Sequence, residues 1–214
     1  MNSFYNKIKV FLGIKEKEIN PILSLFLDKK CVFFHIPKTA GISISNALFG
    51  DVKWGHRSVN FYKSHYGEKV FNSLYKFCFV RNPYDRLFSA YTFLKEGGIN
   101  NQDLEFSNSY LQEFASFDEF VLKGLEKEEI MNWVHFKPQY TFVCDENDNI
   151  VMDFVGKMEN LNADFNAVCK HLNIESELQK LNMSATKKND FSEEVKTMIK
   201  LKYQKDFNLF YPHL

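Results

Sequence analysis

Two short apolar runs constrain this chain more than anything else in it. Each ends in a loop carrying a cation and then passes into a helical pattern. The first is Lys30-Cys31-Val32-Phe33-Phe34-His35, followed by Ile36-Pro37-Lys38-Thr39-Ala40-Gly41 and an apolar pattern over 42–49 set by Ile42, Leu48 and Phe49. The second is Lys76-Phe77-Cys78-Phe79-Val80, ended by Arg81-Asn82-Pro83 and followed by Leu87, Tyr91 and Leu94 at helical spacing. A strand with one solvated face alternates apolar and polar residues; these do not, so both faces of each are buried, as in a parallel sheet. Two strand–loop–helix units with later strands predict an α/β fold, a single domain with a mainly parallel central sheet flanked by helices.

The rest of the chain fits around that core. Residues 4–27 carry apolar residues at helical spacing and predict a helical extension over 1–29 ahead of a domain at 30–214. Gly97-Gly98 ends the second helix and opens a polar stretch to about Ser109. Ser116-Phe117-Asp118-Glu119 has capping-box form. Thr141-Phe142-Val143-Cys144 and Ile150-Val151-Met152-Asp153-Phe154-Val155 predict two strands joined by the polar turn 145–149. Helices are expected over 162–172 and 192–205, with a loop at 182–190 between them.

A chain of 214 residues suits one large domain. Its 27 basic and 27 acidic residues balance. A general nucleic-acid binder shows a basic excess, so no nucleic-acid partner is expected and any anion site must be built locally. The abundance of Phe and Tyr reads as compositional bias rather than function. Four cysteines, Cys31, Cys78, Cys144 and Cys169, stand far apart with no C-x-x-C. They read as buried free thiols suited to a reducing compartment. No apolar run approaches the ~18 residues needed to cross a bilayer, and the N-terminus lacks a signal-peptide apolar region. The expectation is a cytoplasmic protein without stable membrane insertion.

The chemistry concentrates at the two strand ends. His35-Ile36-Pro37-Lys38-Thr39-Ala40-Gly41-Ile42-Ser43 lies between a buried strand and a helix, and a helix N-terminus offers unpaired N–H groups and the positive end of the dipole to a phosphate. Gly41 allows close backbone approach; Lys38 adds a charge, and Thr39 and Ser43 add hydroxyls. The segment is a P-loop-like phosphate site but not the G-x-x-x-x-G-K-[ST] pattern, because its lysine comes early and it has one glycine. In Phe79-Val80-Arg81-Asn82-Pro83-Tyr84-Asp85-Arg86-Leu87-Phe88-Ser89-Ala90-Tyr91, Asn82 suits an N-cap and Pro83 the first helical position. Ser89 lies seven residues beyond Asn82, about two helical turns, on the face below Arg81. A guanidinium and a hydroxyl can converge there on a second phosphate. Asp85 and Arg86 read as structural charges. Ligands of parallel sheets bind at the carboxyl ends of the strands, so both motifs belong to one edge. Two adjacent anion sites suggest a ligand with two separate phosphates.

Together, HIPKTAGIS and FVRNPYDRLFSAY resemble the superfamily of sulfotransferases that use 3′-phosphoadenosine-5′-phosphosulfate (PAPS), in its carbohydrate-type, sulfotransferase family 2-like bacterial branch. The runs His135-Phe136-Lys137-Pro138-Gln139, 153–161 and Tyr203-Gln204-Lys205-Asp206-Phe207 are similar to that branch as well. The resemblance implies that Lys38, Thr39, Ala40, Gly41, Ile42 and Ser43 cradle the 5′-phosphosulfate and that Arg81 and Ser89 grip the 3′-phosphate. It further implies PAPS as co-substrate and a carbohydrate or glycoconjugate acceptor.

The reaction expected is in-line sulfuryl transfer through a loose transition state, with charge growing on the leaving phosphate oxygen. Lys38 is placed to neutralise that charge, and by this logic no metal is required. His56, on the loop between the two motifs, is the expected base; an unperturbed histidine has a pKa near about 6.5. His135 is the rival base and is otherwise assigned to the acceptor pocket, with Glu96 a weaker candidate. His35 orients the phosphate loop, while His65, His171 and His213 are structural. Glu159 reads as a carboxylate bonded to backbone near a helix start. Trp54, Tyr91 and Trp133 are candidates to stack on adenine or a sugar, with core packing the default. Two other readings stay open at this point: a P-loop-type kinase, which needs magnesium and prefers ATP, and a non-catalytic protein that binds 3′-phosphoadenosine 5′-phosphate (PAP).

Overall fold

A computed structural model describes residues 21–52, 55–178 and 190–214. The expected helices of 4–20, Trp54 and the 182–189 part of the expected loop lie outside the described residues.

Helix α1 (Pro21–Asp28) leads into strand β1 (Cys31–Phe34). Helices α2 (Gly41–Phe49), α3 (Val59–Tyr66) and α4 (Glu68–Ser73) cross over to strand β2 (Tyr75–Val80). Helix α5 (Pro83–Lys95) follows directly. Much later, strand β3 (Phe154–Lys157) joins the sheet. The order is β1-β2-β3 and both pairings are parallel, with Phe34 beside Cys78 and Val80 beside Lys157. Parallel pairing demands such crossovers, and it brings all three carboxyl ends to one edge.

The lack of alternation in the strand sequences has a direct cause. Phe33 stacks on Phe77 at 5.1 Å on one face. Its neighbour Phe34 packs edge-on against Tyr62 at 4.9 Å, and against Phe71, on the other. Every residue of β1 is buried. Apolar burial on both faces is the main stabilising contribution. Helix α1 belongs to the same core: Ile22, Leu23 and Phe26 are buried, and the Tyr66 hydroxyl donates to the Leu23 carbonyl at 2.8 Å.

Beyond α5, Gly97 and Gly98 both take positive φ and end the helix. The polar stretch that follows is largely helical: α6 (Asn101–Phe106) runs on into wider π-type turns over Ser107–Leu111. Asn100 caps α6 by accepting from the Asp103 N–H, a signal hidden among the surrounding polar residues. Ser116 caps the next turn as its sequence predicts, accepting from the Glu119 N–H at 3.1 Å.

Two expectations are corrected here. Residues 141–143 form no strand: Tyr140–Val143 is a helical turn. A short apolar run does not distinguish strand from helix by periodicity. A remote carboxylate settles the matter, since Asp206 accepts from the N–H groups of Gln139 and Tyr140 that open the turn. The expected hairpin shrinks to one antiparallel bridge, Cys144 with Ile150, and the later run pairs with β2 instead. The helix expected over 192–205 is two, Glu193–Lys202 and Gln204–Phe210. They break at Tyr203, whose buried hydroxyl donates to the Phe136 carbonyl. Among the described residues, no helix is long and apolar enough to cross a membrane.

Candidate functional site

The carboxyl edge of the sheet carries two chemically different loops. The loop after β1 is tightly wound. Lys38 and Ala40 both adopt left-handed backbone, φ 68° and 62°, at a cost of about 1–2 kcal/mol for each non-glycine residue. The buried Thr39 hydroxyl donates to the Ile36 carbonyl at 2.9 Å, closing the loop on itself. Its proton is therefore spent within the loop and does not serve as the free donor that the sequence suggests. Gly41 is required for space. A Cβ there would fall 1.8 Å from the His35 ring. Helix α2 starts at Gly41 with Ala40 as an N-cap whose side chain makes no capping bond. Among the described residues, the first N–H groups of the helix, including those of Gly41, Ile42 and Ser43, have no side-chain acceptor, and such an end can receive an anion.

Arg86 holds this loop in place. It is fully buried in α5, and its Nε donates to the Pro37 carbonyl at 3.0 Å while its Nη2 donates to the His135 carbonyl at 3.3 Å. The sequence reading of Arg86 as a structural charge is correct in kind. What it missed is that this one guanidinium ties the phosphate loop to the wall bearing His135.

Lys38 turns toward α5, its Nζ 3.9 Å from the centre of the Phe93 ring. Burial, helped by the nearby Arg81 charge, lowers its pKa to about 8. His135 is near enough for its charge and that of Lys38 to oppose each other, and it ends a row of three histidines. The His35 and His56 rings are 4.4 Å apart, and those of His56 and His135 are 5.8 Å apart. The Nδ1 of His56 lies 2.7 Å from the His35 carbonyl oxygen. A carbonyl only accepts, so Nδ1 carries the proton and Nε2 keeps its lone pair. Burial holds all three below the ordinary histidine range, His135 to about 3, and His35 and His56 downward as well. At neutral pH they are uncharged.

The loop after β2 is built differently. The Gln139 side chain brackets the Arg81 backbone, accepting from its N–H and donating to its carbonyl, both at 2.9 Å. Asp206, itself buried, pins Gln139 in turn. The next residue, Asn82, donates its N–H to Glu159 at 2.7 Å, and Glu159 accepts again from the Tyr211 hydroxyl. Glu159 thus bonds the backbone at a helix start, as expected. Asn82 caps α5 by accepting from the Tyr84 N–H at 3.0 Å, with Pro83 at the first helical position. The Arg81 guanidinium itself makes no ion pair or hydrogen bond among the described residues; Asp85 acts on it only through space. A partly buried cation with its backbone fixed and its head unpaired can receive an anion.

The structure brings Lys38, His56 and His135 together and sets Arg81 at the adjoining strand tip. Ser89 sits half-buried on α5 and Ser43 half-buried on the first turn of α2, neither hydroxyl bonded among the described residues. Tyr91 is a core residue packed on Phe117 and Phe120, and Trp133, half-buried, packs against the core by stacking on Phe106 at 4.2 Å. Glu96 is exposed at the end of α5. His65 lies on α3 stacked with Phe61, and His171 stacks on Tyr75 at 3.7 Å. Among the described residues, no group of three or more His, Cys, Asp or Glu side chains is placed to hold a metal ion.

A family model described as "Sulfotransferase family" matches residues 25–212, which include both strand–loop–helix units and the remote residues that pin them. A protein of Archaeoglobus fulgidus, described as uncharacterized, is 31% identical over 115 residues, covering 52% of this chain and 78% of that one. No solved structure matches the chain significantly.

Proposed function

The chain belongs to the sulfotransferase family, and from that premise we propose that it moves a sulfuryl group from PAPS to a hydroxyl of a carbohydrate or glycoconjugate. The observation that carries this reading is the pairing of two anion sites on adjoining strand tips. One is the uncapped start of α2 beside Lys38, the other the unpaired Arg81 guanidinium. A nucleotide phosphorylated at both ends fits that pair; a ligand with one phosphate chain uses only the first.

In this reading Lys38, Thr39, Ala40, Gly41, Ile42 and Ser43 hold the 5′-phosphosulfate, largely through backbone N–H groups. Arg81 and Ser89 hold the 3′-phosphate, and His135 lines the acceptor side. His56 Nε2 takes the proton of the acceptor hydroxyl as its oxygen bonds to sulfur. The bond from sulfur to the 5′-phosphate oxygen breaks, and the charge left on that oxygen is met by Lys38 and the α2 N-terminus. The four cysteines are free and buried, which supports a reducing, cytoplasmic setting.

The test compares thermal unfolding with PAP, PAPS and magnesium-ATP, since a ligand of the native state raises its melting temperature. PAP and PAPS are expected to stabilise the protein, and magnesium-ATP to do so less. A larger shift with magnesium-ATP favours a kinase. A shift with PAP but no label transferred from PAPS to any glycan identifies a non-catalytic binder. No shift with PAP or PAPS overturns the reading.

A further inference from the structure

One buried carboxylate near Lys38 has no part in the scheme above. Asp103, on α6, is 3% exposed and, among the described residues, forms no ion pair with a lysine or arginine. The chain builds a niche for it. Its Oδ2 accepts from the Asn100 side-chain amide at 2.8 Å and from the Ile99 N–H at 3.3 Å. Its own N–H donates to Asn100 Oδ1 at 2.9 Å. Gly98, at φ 67°, clears the space: a Cβ there would lie 2.2 Å from the Asp103 Cβ. Burying a carboxylate is costly, and two bonds from its own loop hold it, one of them from an Asn100 side chain that the Asp103 N–H anchors in turn.

Its other oxygen, Oδ1, lies 3.3 Å from His135 Nε2. At that separation the carboxylate attracts an Nε2–H and repels an Nε2 lone pair, which favours a neutral ring with its proton on Nε2 and its lone pair on Nδ1. Nδ1 is buried and, among the described residues, has no hydrogen-bond partner, and His135 as a whole is only 8% exposed. A stranded buried acceptor costs free energy and calls for a reason. The ring lies 5.2 Å from Phe93, the ring that also carries Lys38, and 5.8 Å from His56. The His135 ring, with its unused acceptor, thus stands beside His56 and shares Phe93 with Lys38.

We propose that Asp103 is a positioning residue, locking His135 in the Nε2–H form so that Nδ1 accepts a hydrogen bond from a second hydroxyl of the acceptor. This rests on the sulfotransferase reading for its purpose but not for its geometry. The acceptor is then a polyol carrying a free hydroxyl near the one that is sulfated. An ether or a carboxylate in that place offers Nδ1 no proton and is rejected.

Asp103→Asn tests it, because the amide nitrogen must face either two donors at the Oδ2 position or His135 Nε2. The second is the one tolerable choice, since that N–H then donates to the ring and drives its proton to Nδ1. Imidazole nitrogen-15 NMR, with His135→Asn to assign the signal, is expected to show Nε2–H in the parent protein and Nδ1–H in Asp103→Asn. Label transfer from PAPS to a mixed glycan extract should fall by about 10²-fold in Asp103→Asn, the scale of a misplaced reacting group. PAP affinity should stay within about twofold, as for a site without shared partners. Asn100→Ala, at an exposed position, should show the same changes in smaller degree and serves if Asp103→Asn does not fold. A parent His135 protonated on Nδ1, or a tautomer unmoved by both variants, overturns the proposal; so does an equal loss of PAP affinity. If the parent protein transfers no label, the sulfotransferase reading fails while the NMR result still decides the role of Asp103.

Discussion

The two strand tips hold cations in opposite ways. Lys38 stands on a strained loop, with left-handed backbone at Lys38 and Ala40 and one buried guanidinium behind it. Its amine is pushed down to about 8 and sits against an aromatic ring with neutral His135 nearby. Arg81 stands on a backbone fixed by a relay of Gln139 and Asp206, with Asn82 fixed by Glu159 and Tyr211. Its guanidinium keeps its charge at any working pH. The contrast separates two tasks. A charge whose weight must grow during a reaction suits a desolvated lysine, whereas a charge that only recognises a phosphate suits a preorganised arginine.

The largest effect expected to sharpen that division is on rate at the first tip. His56→Ala should lower sulfate transfer by roughly 10²–10⁴-fold, as for a lost general base. Lys38→Ala should lower it by about 10²–10³-fold, as for a lost electrostatic donor. Single-turnover transfer of label from PAPS measures both, and in both PAP binding should change far less than rate. At the second tip the order reverses. Arg81→Ala should weaken PAP by about 10–100-fold, the range for a hydrogen bond to a charged group, and abolish the preference for PAP over 5′-AMP in calorimetric titration. The division breaks if Arg81→Ala leaves PAP affinity intact, or if Lys38→Ala removes the preference for the 3′-phosphate.

Next in size is stability. Asp206→Ala strands the N–H groups of Gln139 and Tyr140 and should destabilise the fold by roughly 2–5 kcal/mol, two unsatisfied buried donors. Chemical denaturation measures this. A variant as stable as the parent would show that the relay does not hold the second tip.

The smallest effects are in pH. A bound phosphate favours charged Lys38, so the complex holds more protons than the free protein, and PAP affinity should decline as pH rises through about 8. Lys38→Arg should flatten that decline. For His135 the folded pKa is depressed to about 3. The unfolded chain therefore binds more protons below its ordinary value near about 6.5, and stability should fall as pH drops through that window. The melting temperature from pH 7 down to pH 4 records it, and a flat profile would contradict a neutral buried His135.

What was legible in the sequence was local. The strand ends, the Asn82 cap, the Pro83 start and the spacing of Lys38 from Gly41 depend on neighbours a few residues away, and all appear where the sequence places them. Arg86, Gln139, Asp206 and Asp103 act across the chain. Gln139 reaches Arg81 58 residues away, and Asp206 reaches Gln139 67 residues away. No periodicity or spacing encodes such pairs. The same remoteness explains the lost strand at 141–143, where a distant carboxylate caps a turn that the apolar run alone could not specify. For Asp103 a signal was present: two consecutive glycines followed by Asn100 and a carboxylate three residues on form a capped turn, with nothing to say that its carboxylate faces a histidine.

The most direct test of the central claim is a crystal structure of the protein with PAP bound. The 5′-phosphate is expected at the start of α2 within reach of Lys38, and the 3′-phosphate on the Arg81 guanidinium, with the adenosine bridging the two strand tips. A nucleotide bound elsewhere, or one whose two phosphates both crowd the first loop while Arg81 turns away, would contradict it.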